Sequence, residues 1–223
     1  MNPASEPAMI RILLINPNTS WATTDMMLAI ARAAAPEGVT IEGATARSGV
    51  TMIVDPVALR EAADEVVALG KSAVCDGIVV AAFGDPGVDR LRTLAQVPVA
   101  GIAEAALLEA AEGSRRFGVA TVTPALSDAI AARVADLGLT PLYTGIRLTA
   151  GDPAALAGDP RRLVEALADA VAHCIDEDGA GAVVIGGGPL GDAATALAAR
   201  FDVPIVAPIP AAIRRILAAI AER

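Results

Sequence analysis

The sequence predicts an α/β fold built as two lobes related by a pseudo-twofold axis, each a four-stranded, mainly parallel sheet flanked by helices. Three observations carry this reading. Short β-type runs alternate with Ala-rich helical stretches from end to end. The run at 77–82 (Gly-Ile-Val-Val-Ala-Ala) is apolar throughout, as expected of a strand covered on both faces. The pattern then restarts: Asp76-Gly77-Ile78-Val79-Val80-Ala81-Ala82 parallels Gly181-Ala182-Val183-Val184-Ile185-Gly186-Gly187. Val97-Pro98-Val99 and Val203-Pro204-Ile205 follow at nearly the same distance downstream.

The elements fall out in order. Residues 10–15 read as a first strand, ending at Asn16-Pro17-Asn18-Thr19-Ser20, and a helix follows over about 21–35, stopped by Pro36-Glu37-Gly38. A second strand covers 39–46. Asp55-Pro56 caps and opens a helix over 56–74, whose Ala62, Val66, Leu69 and Ala73 share one face. Strand three, 77–82, turns through Phe83-Gly84-Asp85-Pro86-Gly87 into another helix, and strand four, about 97–102, leads to a helix from Ala103. The second half holds a strand at 116–121, a helix opened by Thr123-Pro124, a strand near 140–147 and a helix at 160–177. A strand at 182–186, a short helix from about 191, a strand at 203–207 and a last helix complete it. The domain reading is a tail at 1–9, one lobe at 10–114 and a second at 115–223, with the last helix packing back on the first lobe.

Composition narrows the function classes. The 223 residues are 54% hydrophobic and 19% charged, which excludes a disordered chain. No stretch free of charge and His is longer than that from Gly179 to Gly191, too short to span a membrane. A net charge of −9 with no basic run argues against a nucleic-acid partner. The N-terminus lacks the basic start and apolar core of a signal peptide, and two cysteines form neither a disulfide framework nor a zinc set, so a cytoplasmic location is expected. One histidine leaves no three-histidine metal site.

In parallel α/β sheets ligands bind beyond the carboxyl ends of the strands, here in the cleft between lobes. That rule selects Asn16, Asn18 and Thr19 after the first strand, and Phe83, Gly84 and Asp85 after the third. It adds Glu104 after the fourth, Thr121 and Thr123 after the fifth, and Gly186, Gly187 and Gly188 after the seventh. Glycine turns opening onto helix N-termini offer backbone amides to a carboxylate or an enolate-like oxygen. No P-loop or dinucleotide fingerprint is present, which argues against a nucleotide cofactor. Each candidate also has a purely structural reading: Asp85, Thr121 and Thr123 as caps, Glu104 as dipole compensation, the glycines as packing sites. His173 reads as a solvated surface residue and Trp21 as a packing residue.

Leu-Ile-Asn-Pro-Asn-Thr-Ser (14–20), Phe-Gly-Asp-Pro-Gly (83–87) and Val-Ala-Gly-Ile-Ala-Glu-Ala-Ala (99–106) resemble the aspartate/glutamate/hydantoin racemase superfamily, most closely its hydantoin racemase branch. The resemblance runs from about residue 10 to 221. It implies a homo-oligomer and cofactor-independent chemistry on a small substrate, a hydantoin ring or an amino-acid-like carboxylate. It also implies two cysteines, one per lobe, that exchange a proton on opposite faces of the substrate. The positions it assigns to them hold Ala82 and Gly187, while Cys75 and Cys174 fall on the amino side of the sheets. Substrate binding is then expected of Asn16, Asn18, Thr19, Phe83, Gly84, Gly187 and Gly188. Acid–base or nucleophilic work would pass to Asp85, Glu104, Thr121 and Thr123, with or without a metal. Racemisation, a non-racemase reaction (ring hydrolysis, desulfurisation or decarboxylation) and ligand binding without turnover all stay open.

Overall fold

The computed structural model describes residues 9–223; the predicted tail, apart from Met9, lies outside the described residues. Strand β1 (Ile10–Asn16) leads into α1 (Trp21–Ala34), β2 (Val39–Thr45), α2 (Pro56–Gly70), β3 (Gly77–Val80), α3 (Val88–Leu94), β4 (Val99–Gly101) and α4 (Ile102–Ala110). The second half repeats the scheme: β5 (Phe117–Thr121), α5 (Ser127–Asp136), β6 (Tyr143–Leu148), α6 (Pro153–Ala157), α7 (Pro160–Asp176), β7 (Ala182–Ile185), α8 (Gly191–Ala198), β8 (Ile205–Val206) and α9 (Pro208–Ala221).

The two sheets have the same order, β2-β1-β3-β4 and β6-β5-β7-β8, and every pair within them is parallel. The hydrophobic pattern follows from that order. Inner strands β3, β5 and β7 are buried at every residue, whereas edge strands β2 and β6 alternate or stay half-exposed. Among the described residues no helix is long and apolar enough to cross a membrane.

Several boundaries differ from the sequence reading, each for a local reason. Strand β4 begins at Val99 and β8 at Ile205, because Pro98 and Pro204 lack the N–H that would extend the ladder; their carbonyls still accept from Ile78 and Val183. Helix α2 ends at Gly70, which packs against Leu91 and Ile15, rather than at residue 74. Pro141 sits in a 3-10 turn, Thr140–Leu142, so β6 starts later than expected. Helix α6 was not foreseen; Asp152 caps it by accepting from the Ala155 amide at 2.9 Å. Trp21 is not a packing residue: it occupies the first position of α1, beyond the buried Thr24, Met27, Leu28 and Ala31, and is 71% exposed. His173 lies half-exposed beside Glu177, with Nδ1 3.6 Å from its carboxylate.

One hydrophobic cluster runs through both lobes, joining Ile12, Leu14 and Val79 to Phe117, Val119 and Val184. Helix α9 contributes to it by lying against α4, α1 and β3, with Ile216 and Ile220 over Gly77. The shared core and α9 hold the two sheets so that their carboxyl ends face a common cleft.

Candidate active site

A cavity of about 350 Å³ opens at the carboxyl ends of both sheets. The first lobe lines it with Asn18, with Met26 and Met27 of α1, with Met52 and Ile53, and with the Ala81–Phe83 turn. The second contributes Val122 and Thr123, Leu163 and Val164 of α7, the Gly186–Leu190 turn and Asp192. Most of this surface is apolar. Asn18, Thr23, Thr123 and Asp192 supply the polar side chains.

After β1 the chain is shaped by Asn16, which is fully buried. Its amide group donates to Asn18 Oδ1 at 2.9 Å, the Ser20 carbonyl at 3.1 Å and Thr24 Oγ1 at 2.9 Å, and its own oxygen accepts from the Asn18 backbone. Asn16 is thereby committed to building the turn. Asn18 Oδ1 also accepts from the Ser20 amide at 2.9 Å, whereas Asn18 Nδ2 has no partner among the described residues. Thr19 turns away and donates to the Val50 carbonyl, tying down the segment that carries Met52 and Ile53.

After β3, Ala82 and Phe83 line the cleft, but Gly84, Asp85 and Glu104 do not. Gly84 has φ +133°, and a Cβ there would strike Leu59. Asp85 takes a left-handed φ of 52°, uncommon for an aspartate. Its carboxylate lies over Gly101, in space that any side chain there would fill, and accepts from the amides of Ala103 at 2.8 Å and Glu104 at 2.7 Å. It therefore caps α4.

From the second lobe, Arg133 donates to Asp85 at 3.1 Å, to Asp89 at 3.3 Å and to Glu104 at 2.6 Å; Arg92 pairs with the other oxygen of Glu104. Asp85 and Glu104, expected as acid–base groups at the substrate, are thus placed in a buried ion-pair network. The reason is tertiary: compensating guanidinium groups arrive from α3 and α5 and draw both carboxylates away from the cleft. Burial pushes the Asp85 carboxyl up to about 6, against the opposing pull of Arg133 and the two amides. Burial pulls the Arg133 guanidinium down, but Asp85 and Glu104 outweigh it and raise its pKa.

After β5, fully buried Thr121 donates to the Gly186 carbonyl at 2.6 Å and shares a 3.2 Å hydrogen bond with Thr123. Thr123 reaches the cleft; Thr121 stands behind it. Gly186, Gly187 and Gly188 all line the cavity. Gly188 approaches Met27 of the opposite lobe so closely that a Cβ would lie 2.8 Å from its Sδ. Gly187 has φ 174°, an extended backbone open to any residue, and a Cβ there would meet only Leu190.

Neither cysteine lines the cleft. Cys174 is buried in the second lobe, 3.8 Å from the Val119 carbonyl, and burial pushes its thiol up to about 12. Cys75 lies in a shallow hollow with Arg11 and Glu42, and burial raises its thiol too. Both stay neutral near pH 7. Among the described residues no group of three His, Cys, Asp or Glu is arranged to hold a metal ion.

Sequence reasoning missed Asp192 and the methionine wall. Asp192 stands in the first turn of α8, five residues after Gly187, where a helix-start carboxylate reads as dipole compensation. Its position soon after the glycine run was the available signal.

Two matching parallel sheets with a cleft at their facing carboxyl ends define a two-lobed α/β fold of the kind that binds a small ligand between its halves. The chain superposes on allantoin racemase from Klebsiella pneumoniae with a TM-score of 0.90 and 32% identity, covering 96% of this chain and 88% of that one. Arylmalonate decarboxylase shares the fold alone, with a TM-score of 0.65 and 18% identity, covering 94% of this chain and 92% of that one. In sequence, the hydantoin racemase of Paenarthrobacter aurescens is 29% identical over 209 residues, which is 92% of this chain and 89% of the relative. The model of the Asp/Glu/hydantoin racemase family matches residues 12–216. The chain belongs to the Asp/Glu/hydantoin racemase family.

Proposed function

We propose that this chain is an isomerase-type enzyme acting on a hydantoin-like ring or an amino-acid-like carboxylate in the inter-lobe cleft, with Ala82 and Gly187 where the family's two cysteines would stand. One observation carries the reading. Ala82 and Gly187 come from equivalent turns of opposite lobes and line the same cavity, one on each side of it. Asn18 Nδ2 is suited to hold a carbonyl oxygen of the substrate and the negative charge that grows on it when a neighbouring proton leaves. The Thr123 hydroxyl, which donates to Thr121, offers its lone pairs to a substrate N–H. In this reading Asp85 and Glu104 work indirectly, by holding the Ala82–Phe83 turn and joining the lobes. A cytoplasmic homo-oligomer is part of the same reading.

The thiol-free lining favours a second reading on the same scaffold, because inversion needs an acid and a base on opposite faces of the substrate. Ring hydrolysis, desulfurisation, decarboxylation, or binding without turnover places no such demand. A mass-spectrometric screen in deuterated buffer separates the readings. Its substrates are 5-substituted hydantoins, thiohydantoins, allantoin and amino acids, resolved by chiral chromatography. Isomerase activity gives deuterium at the stereocentre with loss of enantiomeric excess. A hydrolase, desulfurase or decarboxylase gives a new mass, and a binder gives thermal stabilisation without turnover. No response to any of these compounds overturns the proposal.

A further inference from the structure

We infer that Asp192 selects the charge of the ligand, so that the cleft takes a neutral ring presenting an N–H and rejects the carboxylate formed when such a ring is opened. The inference rests on the hydantoin or amino-acid reading of the cleft and narrows it. Of the described residues lining the cavity, Asp192 alone carries an ionisable side chain, and no Lys, Arg or His accompanies it. Among the described residues no salt bridge reaches its carboxylate. The contrast with the buried acids Asp85 and Glu104 is direct, since Arg133 and Arg92 compensate them. The cleft therefore carries one negative side chain with no ion-pair partner, offset only by the amino end of α8.

Asp192 is exposed, so water and salt screen its charge in part, while Met27, Phe83, Leu163 and Leu190 offer it no counter-charge. An anion entering a cavity of about 350 Å³ meets a like charge with no counter-ion. The remaining side-chain donor, Asn18 Nδ2, serves a carbonyl oxygen of a neutral ring as well as one of an acid. A ring N–H can donate to the Asp192 carboxylate in a charge-assisted hydrogen bond; the ring-opened acid keeps ureido N–H donors but brings a carboxylate of the same charge as Asp192. The net charge of −9 also disfavours the approach of anions from solution.

The matched probes are 5-isobutylhydantoin and its ring-opened form, N-carbamoyl-leucine, which carry the same side chain and differ by one added water and by charge. Isothermal titration calorimetry on the full chain near neutral pH, at low and high salt, reads both affinities. Wild type is expected to bind the hydantoin at least about tenfold more tightly, with the gap narrowing as salt screens the repulsion. D192N, at an exposed position, is expected to bind the carboxylate better and the ring less well, closing most of the gap with little salt dependence. Equal or tighter binding of the carboxylate by wild type overturns the inference. So does an unchanged gap in a D192N protein with wild-type circular dichroism and melting. Binding of both probes without discrimination defeats this inference alone, whereas binding of neither defeats the reading of the cleft as well.

Discussion

Arg133 of α5 reaches across the lobe boundary to Asp85, its Nε donating to Oδ2 at 3.1 Å, while the same carboxylate caps α4 through the amides of Ala103 and Glu104. One side chain from the second lobe thereby holds the turn that carries Ala82 and Phe83 to the cleft. A network with this much buried charge contributes chiefly by the cost of breaking it.

Arg133→Ala leaves Asp85 and Glu104 buried with much of their compensation removed. The expected loss of stability is about 3–5 kcal/mol, read from urea unfolding. Arg133→Lys restores only part of it, because one ammonium cannot serve three carboxylates at once. A loss under about 1 kcal/mol for the alanine variant would show that the network does not hold the lobes.

The pH dependence follows from the sign of the Asp85 shift. Its pKa is raised in the folded chain from the ordinary 3.8 to about 6, so the folded state binds the proton more tightly. Asp85 thus contributes stability that is fully present below its unfolded pKa and is lost as pH rises through about 6. Asp85→Asn removes this titration. The stability of wild type relative to the variant, followed by thermal melting, should fall between about pH 4 and pH 6. A difference that is flat or rises over that window contradicts the assignment.

Thr123→Val removes a hydroxyl from the cleft but leaves Thr121 bonded to the Gly186 carbonyl. For a substrate found in the screen, kcat/KM should drop about tenfold or more while the melting temperature barely moves. Thr121→Val should lower both, since it releases the glycine turn.

Replacing Ala82 and Gly187 together by cysteine should introduce hydantoin racemisation, visible as solvent deuterium at the stereocentre and decay of optical rotation. The Gly187 backbone is already extended, and of its neighbours only Leu190, whose Cδ1 would lie 2.8 Å from the new Cβ, has to move. Neither single variant should suffice, because inversion needs a group on each face. No gain in a folded double variant counts against the proposed cysteine positions.

The local pattern of the sequence determined the order of strands and helices, the two-lobe repeat and the side of the sheets where the cleft lies. Apolar runs such as 77–82 and caps such as Asp55-Pro56 act over a few residues and are legible without a partner. The rule that ligands bind beyond the carboxyl ends found Asn18, Phe83, Thr123, Gly186, Gly187 and Gly188, and the family resemblance pointed to Ala82; all of these line the cavity. Only the tertiary structure decided where the charges go. Asp85 and Asp192 both follow a strand and a glycine turn, and nothing local separates them. Asp85 meets Arg133, 48 residues away in the chain, and is drawn into the lobe boundary, whereas no cation reaches Asp192 among the described residues and it faces the cleft. The physical reason is that burying a carboxylate requires a compensating partner, and the position of that partner is a property of the folded chain.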